Sequence, residues 1–329
     1  MLSRRRLLAA TSGLLAAPFV LSAEARAQAA WPNRTVRLVA QFPPGGLVDT
    51  VSRLIAPGLS QALGVNVVVE NRAGAGGLIG TDFVAKQPAD GYTLLVSHAS
   101  VHVYSQATRA TMPFDSIGDF THMVHMVEAP NVLLVRGVSP FQSLEQYVTA
   151  ARTRPVRFGS SGIGSAPHLL GAMLSSEARA PNLDHVPYAG SAPAMQDLLG
   201  NNIESMVDPI TTNVAQLRDG SLRALAVSTP ARLPAFPTIP TFAELGYPKL
   251  TSAQWLGLSA PKGLPMAIQE RLLAAIPPIL AQPALAQRFS DLQTMPRATL
   301  PTGDAFVALI REEIAAWTAV ARQFNISVS

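Results

Sequence analysis

The stretch that decides the fold reads Thr35-Val-Arg-Leu-Val-Ala-Gln-Phe42, then Pro43-Pro44-Gly45-Gly46, then a run from about Leu47 to Leu63. The first segment is rich in β-branched and apolar residues, as in a buried strand, and the last has its apolar residues at helical spacing. The prolines and glycines between them predict a tight turn. This part of the chain is therefore predicted to begin with a strand, a turn and a helix.

The same alternation continues along the chain. Further strands are predicted at Val65–Glu70, Tyr92–Ser97, Val132–Val135, Val156–Phe158, His185–Tyr188, Ile203–Val207, Leu222–Val227 and Trp255–Ser259. Further helices are predicted at Leu78–Lys86, Leu144–Ala151, Pro167–Ser176, Pro265–Ala281 and Asp304–Phe324. Strands that alternate with helices of this length indicate βαβ units around a largely parallel sheet, so we predict an α/β fold.

The length of the chain predicts two domains, because about three hundred residues exceed what one hydrophobic core usually organises. The simplest division assigns residues 31–128 and 252–329 to domain 1, and residues 129–251 to domain 2. Clefts between domains are preferred sites for small molecules. A ligand cleft is therefore expected where the two domains meet.

Residues 1–29 have the features of a secretory signal peptide. Arg4, Arg5 and Arg6 precede an apolar stretch, and small residues at alternate positions predict cleavage near Ala27 or Ala29. The start also resembles a twin-arginine signal, but arginine-rich starts serve the general secretory route as well, so the export route stays open. The predicted location of the mature protein is the periplasm.

Charge and cysteine content exclude several classes of function. The formal net charge is +4, of which +3 lies in residues 1–27, so the exported part is close to +1. Its basic residues are scattered, whereas a nucleic-acid-binding protein needs a basic patch or stripe. The chain has no cysteine, which excludes disulfides, thiolate catalysis and thiolate metal sites.

Two glycine-rich turns predict a ligand site. One is Phe42 to Asp49, and the other is Gly159-Ser-Ser-Gly-Ile-Gly-Ser165. Each lies between a predicted strand and a predicted helix, where the first N–H groups of the helix lack intrahelical partners and its dipole favours negative charge. Glycines allow an anion to approach the main chain closely. Since each domain contributes one turn, we predict an anion site shared between the domains.

Other motifs predict neither a cofactor nor catalysis. The glycines of Asn71–Gly77 lack the spacing of a dinucleotide site and are followed by no P-loop lysine, so they predict a tight turn. The histidine pairs His98/His102 and His122/His125 lack the pattern of a zinc protease, and no G-x-S-x-G motif is present. We therefore expect no metal and no catalytic residue.

Several motifs resemble the Bug (TctC-like) family, the extracytoplasmic solute receptors of tripartite tricarboxylate transporters. They are Phe42-Pro-Pro-Gly-Gly-x-x-Asp49, Val69-Glu-Asn-Arg72-x-Gly-Ala-Gly-Gly77, Asp90-Gly-Tyr-Thr-Leu94, and Val186-Pro-Tyr188 with Pro193-Ala194. The resemblance covers essentially the whole exported part. It implies a two-lobed periplasmic-binding-protein (type II-like) fold, which closes on its ligand in the cleft between the domains without catalysis.

The resemblance also implies the ligand and the residues that bind it. The ligand would be a small carboxylate or a related polar metabolite, held mainly by main-chain groups of the two turns. The implied ligand-binding residues are Phe42, Pro44, Gly45, Gly46, Asp49, Ser161, Gly162, Ser165, His168, Tyr188, Ala189 and Asp208. From the residues alone, Asp49 is explained by its place in the first turn of a helix, and Asp208 either faces the cleft or caps a turn.

One stretch departs from the family pattern. Many members have a Gly-Thr-rich segment after the third strand, where this chain has Ser97-His-Ala-Ser-Val-His-Val-Tyr104. We expect Ser97 and His98 to line the pocket, and the two histidines and a valine of this stretch to alter its polarity.

The implied partners are the permease subunits of a tripartite transporter. A sensor that presents its ligand to a membrane kinase would share the same site and differ only in its partner. A secreted hydrolase is the third alternative, but the sequence offers no set of nucleophile, base and orienting group for it. We expect a monomer that binds no nucleic acid.

Overall fold

The computed structural model describes residues 31–296, 299–324, 326 and 327. The predicted signal peptide, residues 1–29, lies outside them together with its cleavage sites. In the part of the chain that the structure describes, no helix has both the length and the apolar character needed to cross a bilayer.

The chain begins with three parallel strands, β1 (Val36–Ala40), β2 (Val67–Asn71) and β3 (Thr93–His98), with β1 in the middle. Helix α1 (Leu47–Leu63) connects β1 to β2, and helix α2 (Leu78–Ala85) connects β2 to β3. Helix α1 ends at Gly64, whose φ of 73° suits the left-handed conformation that commonly terminates helices. The predicted elements of this region are confirmed to within two residues.

A long strand, β4 (Phe120–Arg136), belongs to both halves of the sheet. Its first part pairs antiparallel with β9 (Ala253–Pro261), and its second part pairs with β7 (Ser205–Pro209) and β8 (Leu222–Val227). The sequence predicted only Val132–Val135 of this strand. Nearly every residue of β4 is buried, and bulges interrupt its pairing with β9, so its sequence lacks the two-residue alternation of a half-exposed strand.

The second half of the sheet is completed by β5 (Val156–Ser160), which pairs in parallel with both β7 and β6 (Leu183–Pro187). Its helices are α3 (Leu144–Thr153), α4 (Ala166–Glu177), α5 (Ser191–Leu199) and α6 (Val214–Asp219). Helix α4 begins after Ser165, whose hydroxyl accepts a hydrogen bond from the amide of His168. The glycine turn at residues 159–165 therefore joins β5 directly to a capped helix.

The chain returns to the first half through β9, which also pairs antiparallel with β3. It continues through α7 (Met266–Leu280), α8 (Pro283–Asp291), β10 (Met295–Pro296) and α9 (Gly303–Gln323). The two predicted C-terminal helices are confirmed as α7 and α9, whereas α8 was not predicted. Short helical turns lie at Ala75–Gly77, Ser100–Ser105, Gln106–Thr108, Ile210–Thr212 and Pro248–Leu250.

The two largest hydrophobic cores lie on either side of the crossing strands. One joins the first three strands to α1 and α7, and the other joins β5 to α3 and α4. Helix α9 contacts both sides, since Phe306 packs against Trp255 while Trp317 packs against the second core. The division into residues 31–128 with 252–329 and residues 129–251 stays a prediction, because its last helix is shared between the two sides.

Candidate functional site

The first glycine turn is organised by the carboxylate of Asp49. Its Oδ2 accepts a hydrogen bond from the amide of Gly45 at 2.9 Å, and its Oδ1 accepts one from Nδ2 of Asn71 at 2.8 Å. Arg53 donates from Nε at 3.0 Å, and Asn71 also donates to the carbonyl of Phe42 at 3.0 Å. Burial raises the pKa of Asp49, but the hydrogen bonds from Arg53, Gly45 and Asn71 outweigh it, so its pKa lies below the usual value. Asp49 is therefore ionised and engaged within the turn.

This arrangement determines which main-chain donors of the first turn are available. The amide of Gly45 donates to Asp49 and that of Gly46 lies 3.4 Å from the carbonyl oxygen of Pro43. The first bond of helix type is made by Thr50, whose amide donates to the carbonyl of Gly46 at 2.9 Å. The preceding amides, from Leu47 onward, belong to the orphan donors of the helix start. Pro44 and Gly45 are exposed, whereas Phe42 and Gly46 are buried.

The second glycine turn is braced by serine hydroxyls and by His168. Ser165 Oγ donates to the carbonyl of Gly162 at 2.7 Å, and Ser160 Oγ accepts from the amide of Gly162 at 3.2 Å. Nδ1 of His168 accepts from the amide of Gly164 at 3.1 Å. Ser161, at the tip of the turn, is buried. Ser165 and His168 thus hold the shape of the turn.

The ring of His168 lies on the side of a separate groove of about 700 Å³, whose lining contains no residue of the first turn. It stacks on His185 with ring centroids 4.0 Å apart, and burial lowers its pKa to about 4. His185 in turn lies 2.6 Å from Ser160 through Nε2. The structure therefore places His168 behind the second turn, where it acts on the turn through hydrogen bonding.

Turns from the two halves of the molecule meet. A Cβ atom added to Gly162 would lie 3.2 Å from Cα of Gly76, and one added to Gly76 would lie 3.1 Å from the carbonyl oxygen of Ile163. A Cβ atom added to Gly190 would lie 2.6 Å from Cδ of Pro43. The glycines at these positions therefore permit a close approach that side chains would prevent. The cluster that ends at Gly77 does form a tight turn, and it also touches the second glycine turn.

Tyr188 and Asp208 support the second side of this contact. The hydroxyl of Tyr188 donates to Asp197 at 2.6 Å, and burial together with Asp197 raises the pKa of Tyr188 to about 12. The fully buried Asp208 accepts from Ser191 at 2.5 Å and from Asn213 at 2.9 Å. Burial raises the pKa of Asp208 to about 6. Asp208 therefore bonds both to Ser191, the first residue of α5, and to Asn213, which follows the turn after β7.

The Tyr188 side chain therefore points toward α5, while its carbonyl oxygen lies against the second turn, 3.3 Å from the position of a Cβ on Gly162. Ala189, which follows it, is exposed.

Ser97 and His98 end β3 in different environments. Oγ of Ser97 accepts from Ser259 at 2.8 Å, and Ser259 lies 2.9 Å from Nδ1 of His122, so Ser97 belongs to a buried chain of hydrogen bonds. The ring of His98 stands edge-on to that of Phe42, with centroids 5.6 Å apart. Of the two residues, His98 is the one beside the first turn.

Ser100 is a site residue that the sequence reasoning missed. Its Oγ accepts from the amide of Ala166, in the first turn of α4, at 3.2 Å and donates to Oε1 of Gln254 at 3.0 Å. A single serine in an apolar stretch gives no signal of such a contact. Among the described residues, no group of three or more histidine or acidic side chains is arranged to bind a metal.

Comparison with known proteins identifies the family. Residues 51–326 match the tripartite tricarboxylate transporter family receptor. The chain belongs to this family. This match confirms the family resemblance noted in the sequence, and it identifies the chain as a receptor of a transport system.

Relatives cover nearly the whole of this receptor. The protein BugT of Bordetella pertussis is 35% identical over 296 residues, which are 89% of this chain and 90% of BugT. Solved structures of periplasmic proteins are similar to this chain as well.

The periplasmic binding protein BugD has 31% identity and a TM-score of 0.86, covering 90% of this chain and 99% of BugD. MatC from Rhodopseudomonas palustris, solved with bound malate, has 31% identity and a TM-score of 0.83, and the match covers 88% of this chain and 99% of MatC. Rpa4515 of R. palustris, solved with adipate, has 32% identity and a TM-score of 0.86, and the match covers 91% of this chain and 99% of Rpa4515.

These structures confirm the predicted α/β fold of a periplasmic binding protein. The solved relatives are named as binding proteins or carry a bound dicarboxylate. The chain is therefore a solute receptor of this family.

Proposed function

We propose that this receptor captures a small carboxylate between its two glycine turns in the periplasm and delivers it to the permease subunits of a tripartite transporter. The observation that carries the proposal is the contact between Gly76 and the second turn at Gly162. It places the start of α2 against the turn that precedes α4, and because β1 and β2 are parallel, the start of α1 lies at the same edge of the sheet as that of α2. Helix starts offer unpaired N–H groups and the positive end of a dipole, which together favour an anion.

The proposed ligand contacts are made by residues at the tips of the turns. On the first side they are Phe42, Pro44, Gly45, Gly46 and His98. On the second side they are Ser161, Gly162, Tyr188 and Ala189. We assign the remaining predicted residues to holding these turns in shape, because their side chains bond to other groups of the protein. They are Asp49, Ser97, Ser165, His168 and Asp208.

Recognition through the main chain fits the relatives. MatC carries malate and Rpa4515 carries adipate, two dicarboxylates of different length. Main-chain donors recognise the carboxylate group rather than the rest of the ligand, so one scaffold serves acids of several lengths. We propose that this receptor, too, acts without catalysis, as a monomer released by cleavage near Ala27 or Ala29.

The test is isothermal titration of mono-, di- and tricarboxylates into protein purified from the periplasm and freed of bound metabolites. At least one acid is expected to bind with 1:1 stoichiometry. Binding of uncharged sugars or cationic amines, with no response to any carboxylate, would reject the proposal. Mass spectrometry of the purified protein reports whether the segment before Ala27 or Ala29 has been removed.

A matched pair of variants locates the anion. Gly46 is the N-cap of α1, has an ordinary φ of −77°, and a Cβ there would meet only the carbonyl oxygen of Pro43 at 3.4 Å. Aspartate and asparagine are both good N-caps, so Gly46→Asp and Gly46→Asn are expected to fold. Only aspartate brings a negative charge to the helix start, so Gly46→Asp should weaken binding by a further factor of about ten relative to Gly46→Asn. Equal affinities would place the carboxylate elsewhere.

A further inference from the structure

His98 is a buried histidine whose ring has no hydrogen-bond partner among the described residues. It is the last residue of β3 and is only 4% exposed. Both Nδ1 and Nε2 are buried, and neither bonds to another group of the protein. Buried polar atoms in native proteins are nearly always paired, so an unpaired buried ring calls for an explanation.

Three other histidines of this chain have hydrogen-bonded rings. His122 lies 2.9 Å from Ser259 and 2.8 Å from the carbonyl of Ser116, one at each ring nitrogen. His168 and His185 bond to Gly164 and Ser160 of the second turn. His102 keeps one contact, from Nδ1 to the carbonyl of Ser116, while its Nε2 is buried without a partner in the part of the chain that the structure describes. His98 differs from these four histidines because neither of its ring nitrogens has a partner there.

The position of His98 connects it to the ligand site. Its ring lies against Phe42, the first residue of the first turn. Phe42 in turn lies 3.1 Å from where a Cβ on Gly77 would be, next to the Gly76 that touches the second turn. His98 also ends a parallel strand at its carboxyl end, which is where ligands bind in open α/β sheets.

The chemistry of the ring restricts what it pairs with. Burial lowers the pKa of His98 to about 3, so the ring is neutral under periplasmic conditions. A neutral imidazole has one N–H donor and one bare nitrogen that accepts. A carboxylate or a ketone can only accept, so it serves one of the two nitrogens. A hydroxyl or a carboxamide both donates and accepts, so it fits whichever nitrogen faces it.

We propose that His98 selects, within the carboxylates, ligands that carry an uncharged donor group, a hydroxyl or a carboxamide, beside the carboxylate bound by the turns. This inference rests on the proposed carboxylate-binding function and adds a second recognition element to it. The carboxylate supplies the attraction to the helix starts, and the uncharged group satisfies the otherwise unpaired ring.

Matched pairs of acids test the inference in the unmodified protein. Lactate is compared with propionate and malate with succinate, since each pair differs by one hydroxyl. Succinamate is compared with levulinate, which keeps the carbonyl and replaces the amide nitrogen by a methyl group. In the pair that binds most tightly, titration calorimetry should show about tenfold higher affinity for the acid with the donor.

Two variants assign the preference to His98. His98→Phe keeps a ring against Phe42 but removes both nitrogens, so the affinity ratio should fall to about one. His98→Gln keeps a donor and an acceptor and should retain part of the preference. Circular dichroism and thermal unfolding report whether each variant is folded. If His98→Phe does not fold, the affinity ratio within each pair of acids, measured on the unmodified protein, tests the inference.

Each outcome is distinct. Equal affinities within every pair for the unmodified protein would overturn the inference while leaving carboxylate binding intact. A preference that persists in folded His98→Phe would overturn it as well, because another group would be responsible. If no carboxylate binds at all, the proposed function fails, and the inference fails with it.

Discussion

The amide of Ala166 donates a hydrogen bond to Oγ of Ser100 at 3.2 Å, across the contact between the two halves of the molecule. Ser100 follows β3, and Ala166 begins α4 immediately after the second glycine turn. The same hydroxyl donates to Gln254 at 3.0 Å, and Gln254 donates to Asn131 in β4. One hydroxyl therefore ties a ligand turn to the strands that cross between the halves.

The first prediction concerns this hydroxyl. Ser100→Ala removes the bond to Ala166 and leaves Gln254 with a buried acceptor that has lost its donor, so the contact between the two halves is weakened. We expect ligand affinity to fall about fivefold to tenfold, which corresponds to one ordinary hydrogen bond. Titration calorimetry with the acid that binds most tightly measures the change.

The matched control is Ser205→Ala. Ser205 is equally buried, in β7, and its hydroxyl lies 2.7 Å from that of Tyr147 within one half of the molecule. This variant should lose stability, by about 1–3 kcal/mol, with little change in affinity. If both variants lower affinity alike, the effect of Ser100 is a general loss of stability rather than a loss of contact between the halves.

The second prediction concerns pH and Asp49. Hydrogen bonds hold its pKa below the usual value despite burial, so the ionised carboxylate stabilises the folded state. That contribution is complete above the unfolded-state pKa of about 3.9 and is lost as the pH falls through the lower folded-state value. Asp49→Asn should therefore reduce the free energy of unfolding by about 1–3 kcal/mol at pH 7, and by progressively less below about pH 3.9.

Urea unfolding of both proteins from pH 7 to pH 3 measures this difference. Asp82→Asn is the control, because Asp82 makes an i,i+4 ion pair with Lys86 on the surface of α2, and such pairs contribute less than about 1 kcal/mol. A constant difference between Asp49→Asn and the unmodified protein over the whole pH range would show that the charge of Asp49 is not what stabilises the turn.

The parts of the fold that the sequence predicted are those with local causes. Strands β1 to β3 are short apolar runs with turn residues at both ends, and α1 has its apolar residues at helical spacing and a glycine at its end. Strand β4 was predicted only in part, because it is buried on both faces and has no alternation, and because its histidines bond to groups distant in sequence. Its length depends on tertiary pairing.

The candidate site, like the fold, could be predicted from the sequence only in part. The glycine turns are visible in the sequence because a positive φ and a close approach both require glycine. The roles of the polar residues cannot be predicted from the sequence, because their hydrogen-bond partners are distant in it. Asp49 bonds to Asn71, beyond the end of α1, and Ser100 bonds to Ala166 in the other half. Sequence spacing places a residue near a turn, but only the packing shows whether its polar atoms remain available to a ligand.

The last prediction separates contact between the turns from backbone strain. Gly76 has a φ of 68° and Gly220 has a φ of 77°, so alanine at either position adopts an unfavourable left-handed conformation that costs about 1 kcal/mol. A Cβ at Gly220 meets nothing within 4 Å, whereas one at Gly76 lies 3.1 Å from the carbonyl oxygen of Ile163 in the second turn. Gly76→Ala and Gly220→Ala should therefore lose similar stability. Only Gly76→Ala should lose affinity, by about tenfold or more, because its methyl group pushes the second turn, which we propose to contact the ligand, away from the first half of the molecule. Thermal unfolding and titration calorimetry on both variants measure the two effects, and unchanged affinity in Gly76→Ala would show that this contact does not contribute to binding.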